Sequence, residues 1–308
     1  MSNLSTALST PDTGLPIQPG ILQSVPPHGR YLSFTLKSSD ALHAALAALR
    51  ELADGERLVV GFGHTLVAAM GAEVPGLRDF TGIDGSRVRL PATPAALWCW
   101  LRENERTDLV HQTRRLLRAL LPAFELQHTV EAFRSGAGHD LTGYEDGTEN
   151  PKGEDAVAAA FAQGQGAGLD GSSFAAVQQW QHQFEKFEAM EELAQDHMMG
   201  RRRSDNEELE DAPVSAHVKR TAQESFDPEA FVLRRSMPWA DMLHAGLNFV
   251  AFGKSLYAFE AQLRRMSGAE DKHTDALFTI SKPVTGSYFW CPPMLDGKLD
   301  LRLLKLAA

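Results

Sequence analysis

Two hydrophobic spacings alternate along the first half of the chain. Arg30 to Leu36 (RYLSFTL), Leu58 to Phe62 and Ala96 to Leu101 (ALWCWL) are short runs of strand character. From Phe124 to Glu131, apolar Phe124, Leu126 and Val130 alternate with polar neighbours, the period-two pattern of a half-buried strand. Between these runs the period lengthens to that of a helix. Leu42, Leu46, Leu49 and Leu52 fall on one face of a segment from Asp40, expected as N-cap, to Ala53, with Gly55 beyond it. A second helix is predicted from about Thr107 to Leu121, with Leu109, Leu116, Leu117 and Leu120 inward; Pro122 stops it.

The second half follows the same order. Strands are expected at Phe174 to Gln181, Phe231 to Met237, Leu247 to Phe252 and Ser287 to Cys291. Helices are expected from Phe184 to about Met198 and from Ser255 to Met266. Two successive β-α-β-β-α-β units imply an α+β fold of duplicated ferredoxin-like domains, antiparallel sheets backed by helices. The halves share element order without close sequence repetition. A Gly-rich polar break, Ser135 to Gly153, lies between them. The expected division is a polar tail over residues 1–20, one unit over 21–138 and a second over 139–308.

Composition narrows the function. A hydrophobic fraction of 43% and a charged fraction of 23% suit a packed core. The formal net charge of -10 repels phosphate backbones, so nucleic acid is not an expected partner. The basic run Arg201-Arg202-Arg203 is cancelled at once by Asp205, Glu207, Glu208, Glu210 and Asp211. The two cysteines, Cys99 and Cys291, sit in apolar surroundings and read as reduced thiols rather than a disulfide framework or a zinc site. The N-terminal segment has neither a basic start nor an apolar core, and no stretch of 18 apolar residues occurs. A cytoplasmic protein without membrane association is expected.

Two segments stand out chemically. Gly143-Tyr144-Glu145-Asp146-Gly147-Thr148-Glu149-Asn150-Pro151 places three carboxylates within five residues between turn formers, so it reads as a loop. In Phe231 to Met237, strand alternation puts Arg234 and Ser236 on one face and Arg235 on the other. A buried arginine there needs an anion or carboxylate. The eleven histidines show no metal-binding spacing, and local sequence does not choose among them.

In order and spacing, these segments resemble the dye-decolorising peroxidases, and the compact length is similar to the bacterial B-type branch. The loop resembles that family's GxxDG signature. It is followed by Met199-Gly200-Arg201, Ser215-Ala216-His217-Val218-Lys219-Arg220, Leu233-Arg234-Arg235-Ser236-Met237-Pro238 and Lys282-Pro283-Val284-Thr285-Gly286-Ser287-Tyr288-Phe289. The likeness runs from about residue 19 to the end. It implies a haem b peroxidase that reduces hydrogen peroxide through a ferryl intermediate and oxidises dyes, phenolics or other one-electron reductants, some of them bulky aromatics. It places the iron ligand on His217 and the orienting carboxylate on Asp275, with Asp271 as the weaker candidate. The distal pair falls on Asp146 and Arg234, with Ser236 beside them. The propionate partner falls on Arg201, with Arg202 and Arg203 as alternatives. A homo-oligomer is expected. Some family members are encapsulin cargo; here the end of the chain, Asp296 to Leu306, reads instead as an ordinary amphipathic terminus.

Overall fold

The computed structural model describes residues 14–306. The N-terminal half runs β1 (His28–Leu36), α1 (Leu42–Leu52), β2 (Leu58–Phe62), α2 (His64–Ala69), β3 (Leu97–Glu103), α3 (Arg106–Leu120) and β4 (Phe124–Phe133). The C-terminal half runs α4 (Gly153–Ala160), β5 (Ser173–His182), α5 (Phe184–Glu188), α6 (Glu192–Met199), α7 (His217–Arg220), β6 (Leu233–Arg234), β7 (Met237–Ala240), β8 (Ala245–Gly253), α8 (Tyr257–Met266), β9 (Ser281–Pro283) and β10 (Ser287–Cys291).

Ten strands form one sheet in the order β6-β8-β7-β4-β1-β3-β2-β10-β5-β9, and a further β8–β5 pairing closes it into a barrel. All pairings are antiparallel. Within each half the ladders are long, with eight residue pairs between β5 and β8. Between halves they are minimal: Trp290 opposite Phe62 at one seam, Ala132 opposite Trp239 at the other. This is the duplicated ferredoxin-like α+β architecture that the element order implies.

Strand alternation sorts the side chains. Tyr31, Trp98, Trp100, Val177, Val250, Phe252 and Phe289 fill the barrel interior. Leu32, Phe34, Val60, Leu97 and Leu101 face outward, against Leu46, Leu49, Leu109 and Leu116 of α1 and α3. On the outer face of the C-terminal half, α8 takes the corresponding place. Its buried Phe259, Leu263 and Met266 recur at helical spacing, but here an open space remains between helix and sheet.

Several local expectations are corrected. Helix α1 begins at Leu42 with Ala41 as its N-cap, because Asp40 is spent in the preceding turn. The expected helix from Phe184 breaks into α5 and α6. The Gln195 side chain takes up the freed carbonyls of Phe187 and Met190. The expected strand Phe231 to Met237 is divided into β6 and the start of β7, with residues 235–236 between them; both meet β8 in one register, and the Arg235 N–H still reaches the Val250 carbonyl at 2.8 Å. Helix α4 follows the polar break, in a stretch for which no element was anticipated. Of the expected tail, residues 1–13 lie outside the described residues. Ile17 and Gln18 are buried, and Gln18 bonds both the N–H and the carbonyl of Val60. Among the described residues, no helix is long and apolar enough to cross a membrane.

Candidate active site

The space under α8 has two lobes. The larger, about 1090 Å³ with its open mouth counted, is lined by Asp146, Glu149, Arg201, His217 and Arg234. The smaller, about 600 Å³, adds Trp180, Phe249, Phe259, Leu263 and Met266. Both include His217, Asp146 and Arg234, so the cavity is continuous, with an apolar floor and a charged rim.

His217 opens α7. Its Nδ1 donates to Asp275 Oδ2 at 2.7 Å, and the Asp275 side chain is fully buried. Asp275 also caps the 3₁₀ turn Ala276–Thr279, where its Oδ1 accepts from the Leu277 N–H at 2.8 Å. The carboxylate thus has one oxygen for the turn and one for the imidazole, which fixes the ring and its tautomer. His217 Nε2 has no partner among the described residues and the ring lines the cavity. Asp271, the weaker candidate, pairs instead with Arg220 through both oxygens at 2.7 Å. The hydrogen bond from Arg220 holds its carboxyl down at about 2.

The Gly143 to Pro151 loop supplies the second wall. Asp146 Oδ1 stands 3.7 Å from Arg234 Nη1, and both side chains are mostly buried. Asn150, which the sequence reading passed over, joins the loop to β6. Its Oδ1 accepts from the Arg234 N–H at 2.7 Å and its Nδ2 donates to the Arg234 carbonyl at 3.1 Å. One amide side chain thereby extends the sheet by a single pseudo-pair and fixes Arg234 against Asp146. Gly147 permits this: its φ is +82°, and a Cβ there would lie 2.6 Å from Asn150 Nδ2.

The remaining expected residues separate. Arg201 lines the cavity, ion-paired with Glu149 and donating to the Asn206 carbonyl at 3.0 Å. Arg202 pairs with Glu207 on the surface, and Arg203 bonds Gln195. Gly200, at φ +86°, ends α6 where a Cβ would lie 2.2 Å from Val218, so the chain can turn directly into Arg201 beside α7. Ser236 does not line the main cavity. Between β6 and β7, it lies in a side crevice that Asp146 and Arg234 also border. Arg235 turns away and donates to the carbonyls of Ile21 and Leu22 at 2.9 and 2.6 Å. Burial lowers its pKa to about 10; nearby Arg102 adds to this and Asp146 opposes it.

A second histidine, His182, also borders the cavity, but both ring nitrogens are taken. Nδ1 is 2.7 Å from Ser281 Oγ, and Nε2 is 3.0 Å from Asp140 Oδ2. Burial works to raise the Asp140 pKa. The His182 bond and charge, with Thr142, outweigh it and hold the carboxyl below its ordinary value. His217 is therefore the histidine that can offer a nitrogen to a guest.

These features fit a haem. Among the described residues no three His, Cys, Asp or Glu side chains cluster as a metal cage, whereas a porphyrin iron needs one imidazole from the protein. The carboxylate behind His217, the apolar floor and the arginine at the rim suit the iron, the macrocycle and its carboxylates in turn.

Comparison with known proteins agrees with the geometry. Residues 137–296 match the family model described as Dyp-type peroxidase, C-terminal. The chain is 27% identical over 301 residues to a dye-decolorizing peroxidase of Mycolicibacterium paratuberculosis, across 90% of this chain and 84% of the relative. It is 29% identical over 222 residues to one of Mycobacterium tuberculosis, across 70% and 66%. Among solved structures, a dye-decolorizing protein from V. cholerae superimposes with a TM-score of 0.79 at 25% identity, covering 94% of this chain and 99% of that one. A Rhodococcus jostii DypB variant in complex with heme gives 0.81 at 24% identity, covering 89% and 95%.

Proposed function

Because the chain belongs to the dye-decolorising peroxidase family, we propose that it reduces hydrogen peroxide at a haem b carried by His217 and oxidises dyes, phenolics or similar one-electron reductants. The observation that carries this reading is the buried Asp275–His217 pair, with Nε2 left open toward a cavity that also holds the Asp146–Arg234 pair. Bound haem would supply the iron chemistry of peroxide reduction and the one-electron oxidations that follow.

The residues divide the remaining work. Asp275 holds the proton on His217 Nδ1, so Nε2 keeps its lone pair, and its negative charge makes the imidazole a stronger donor. Asp146 is the general acid–base: its carboxylate takes a proton from one peroxide oxygen and returns it to the other, which leaves as water. Arg234 has no accessible neutral form, so it stabilises negative charge as the oxygens separate rather than moving the proton. Arg201 meets the propionates, and Ser236 holds water in the crevice behind Asp146. The B-type branch and a cytoplasmic setting accompany this reading, as does a homo-oligomeric state. One structural relative is an encapsulated Dyp-type peroxidase from Mycobacterium smegmatis; encapsulation is not proposed for this chain.

The test is an absorption spectrum of purified protein before and after one equivalent of peroxide, followed by peroxide-dependent dye oxidation. A Soret band that responds to peroxide is expected in the wild type and lost or altered in His217→Ala. A protein purified with added haem that shows no Soret band refutes the reading.

A further inference from the structure

The loop that carries Asp146 does not stand alone. At the rim of the haem cavity it lies against residues 200–208, the chain that leaves α6, and both segments line the cavity. A row of contacts joins them. Asn206 Nδ2 donates to Glu145 Oε2 at 3.0 Å and to Thr148 Oγ1 at 2.9 Å, and Arg201 pairs with Glu149. Glu145 and Glu149 are exposed, so the contacts they make compete with water and contribute little.

The remaining contact is of another kind. Tyr144 is 4% exposed and Asp196, in α6, is 6% exposed, and the Tyr144 hydroxyl donates to Asp196 Oδ1 at 2.5 Å. The same oxygen accepts from the Arg203 N–H at 3.1 Å. Burial first, then the bond to Asp196 and its charge, push the Tyr144 phenol above its ordinary range, so it stays a donor. A hydrogen bond to a carboxylate away from water is much stronger than a pair at a wet rim. Each donor also stands two residues from a group in the cavity: Tyr144 before Asp146, and Arg203 after Arg201. The Tyr144 backbone is tied on its other side, its carbonyl accepting from the Asp140 N–H at 2.8 Å, while the Asp146 N–H reaches the Gly138 carbonyl at 3.1 Å. The loop is thus fixed to its own turn by backbone bonds and to α6 by one buried side chain.

We propose that Asp196 is a positioning residue of this site. Through the Tyr144 hydroxyl it sets the Asp146 loop, and through the Arg203 N–H it sets the turn that carries Arg201, so the distal acid and the propionate arginine share one buried anchor. Its consequence for peroxide reduction rests on the peroxidase reading; the tether itself does not.

The test compares Tyr144→Phe, Asp196→Ala and Asp196→Asn with the wild type, all loaded with haem. Tyr144→Phe keeps the ring and deletes only the hydroxyl, so it serves where Asp196→Ala does not fold. Amide hydrogen exchange across residues 138–150 should quicken about three- to tenfold in Tyr144→Phe and Asp196→Ala, the usual effect of one lost hydrogen bond. Asp196→Asn keeps an oxygen for both donors and should restore most of the protection. Fluoride affinity at the ferric haem should follow the same order, weakening about three- to tenfold in the first two variants, because distal donors hold the bound fluoride. A lowered melting temperature with exchange and fluoride affinity unchanged would make the bond merely structural and overturn the proposal. Equal losses in Asp196→Asn and Asp196→Ala would also overturn it, since charge rather than an acceptor oxygen would then be at work. A protein that takes up no haem would sink the peroxidase reading, and the exchange rates would still decide whether Asp196 holds the loop.

Discussion

Asp275 has two acceptor oxygens and two donors to satisfy, His217 Nδ1 and the Leu277 N–H. Asp275→Asn leaves one acceptor. Whichever way the introduced amide turns, one contact becomes donor against donor, and the imidazole loses its anionic partner. That partner favours the more positive oxidation state of a metal bound at Nε2, so its removal should raise the Fe(III)/Fe(II) potential. Outer partners of this kind typically change metal affinity or activity about 10–100-fold. With a tenfold preference equal to about 59 mV for one electron, the expected rise is about 60–120 mV. Spectroelectrochemical titration of haem-loaded wild type and variant measures it. Asp271→Asn is the control, since Asp271 serves Arg220 and should leave the potential in place. An unchanged or lowered potential in Asp275→Asn, with haem content preserved, would refute the argument that this carboxylate tunes the ligand.

Other outcomes follow from the same contacts. Asn150→Leu removes both bonds to the Arg234 backbone; it should cost about 1–3 kcal/mol by urea unfolding and slow the stopped-flow reaction with peroxide while haem remains bound. Arg234→Leu should slow that reaction about 10²–10³-fold with little loss of fold. Arg235→Leu should do the reverse, lowering the melting temperature because the Ile21 and Leu22 carbonyls lose their donor; equal kinetic losses in the two variants would contradict the assignment. The depressed Asp271 carboxyl, at about 2 against an ordinary 3.8, contributes stability that is present above the ordinary value and lost as pH falls toward 2. The wild-type melting temperature should therefore fall more steeply than that of Asp271→Asn between about pH 4 and 2, and parallel profiles would show that the Arg220 pair contributes nothing.

What the sequence reveals of this site depends on how local the determining physics is. Alternation alone separates Arg234 from Arg235, and they do meet different surroundings. The same rule carries through Ser236: β6 and β7 meet β8 in one register, Arg234 opposite Ala251 and Met237 opposite Asn248, and Ser236 borders the side crevice together with Arg234. The partnership of His217 with Asp275 spans 58 residues. Nothing near either residue announces it; only the resemblance of whole segments brought them together. Asn150 carried a faint signal, an amide just before a proline in a loop too acidic to be core, but its partner lies 84 positions away. Asp140 and Thr142 form a recognisable local turn, in which the carboxylate accepts from the Thr142 N–H at 2.9 Å. What that turn presents to His182 emerges only in three dimensions.

The two seams of the barrel bear on what this chain must avoid as well as on what it does. A single ladder pair contributes little cohesion, yet each seam covers the outer edges of two strands. Left open, β2, β4, β7 and β10 would display rows of unpaired N–H and C=O groups, a template on which strands of other molecules can add. Joining edge to edge within one molecule removes that template without needing lysines or prolines to blunt it. The cost falls on partly opened states. A molecule parted at Trp290–Phe62 exposes two sticky edges together with the indole-rich interior behind them. Loss of this protein on heating should therefore proceed through association of opened barrels and grow steeper with protein concentration.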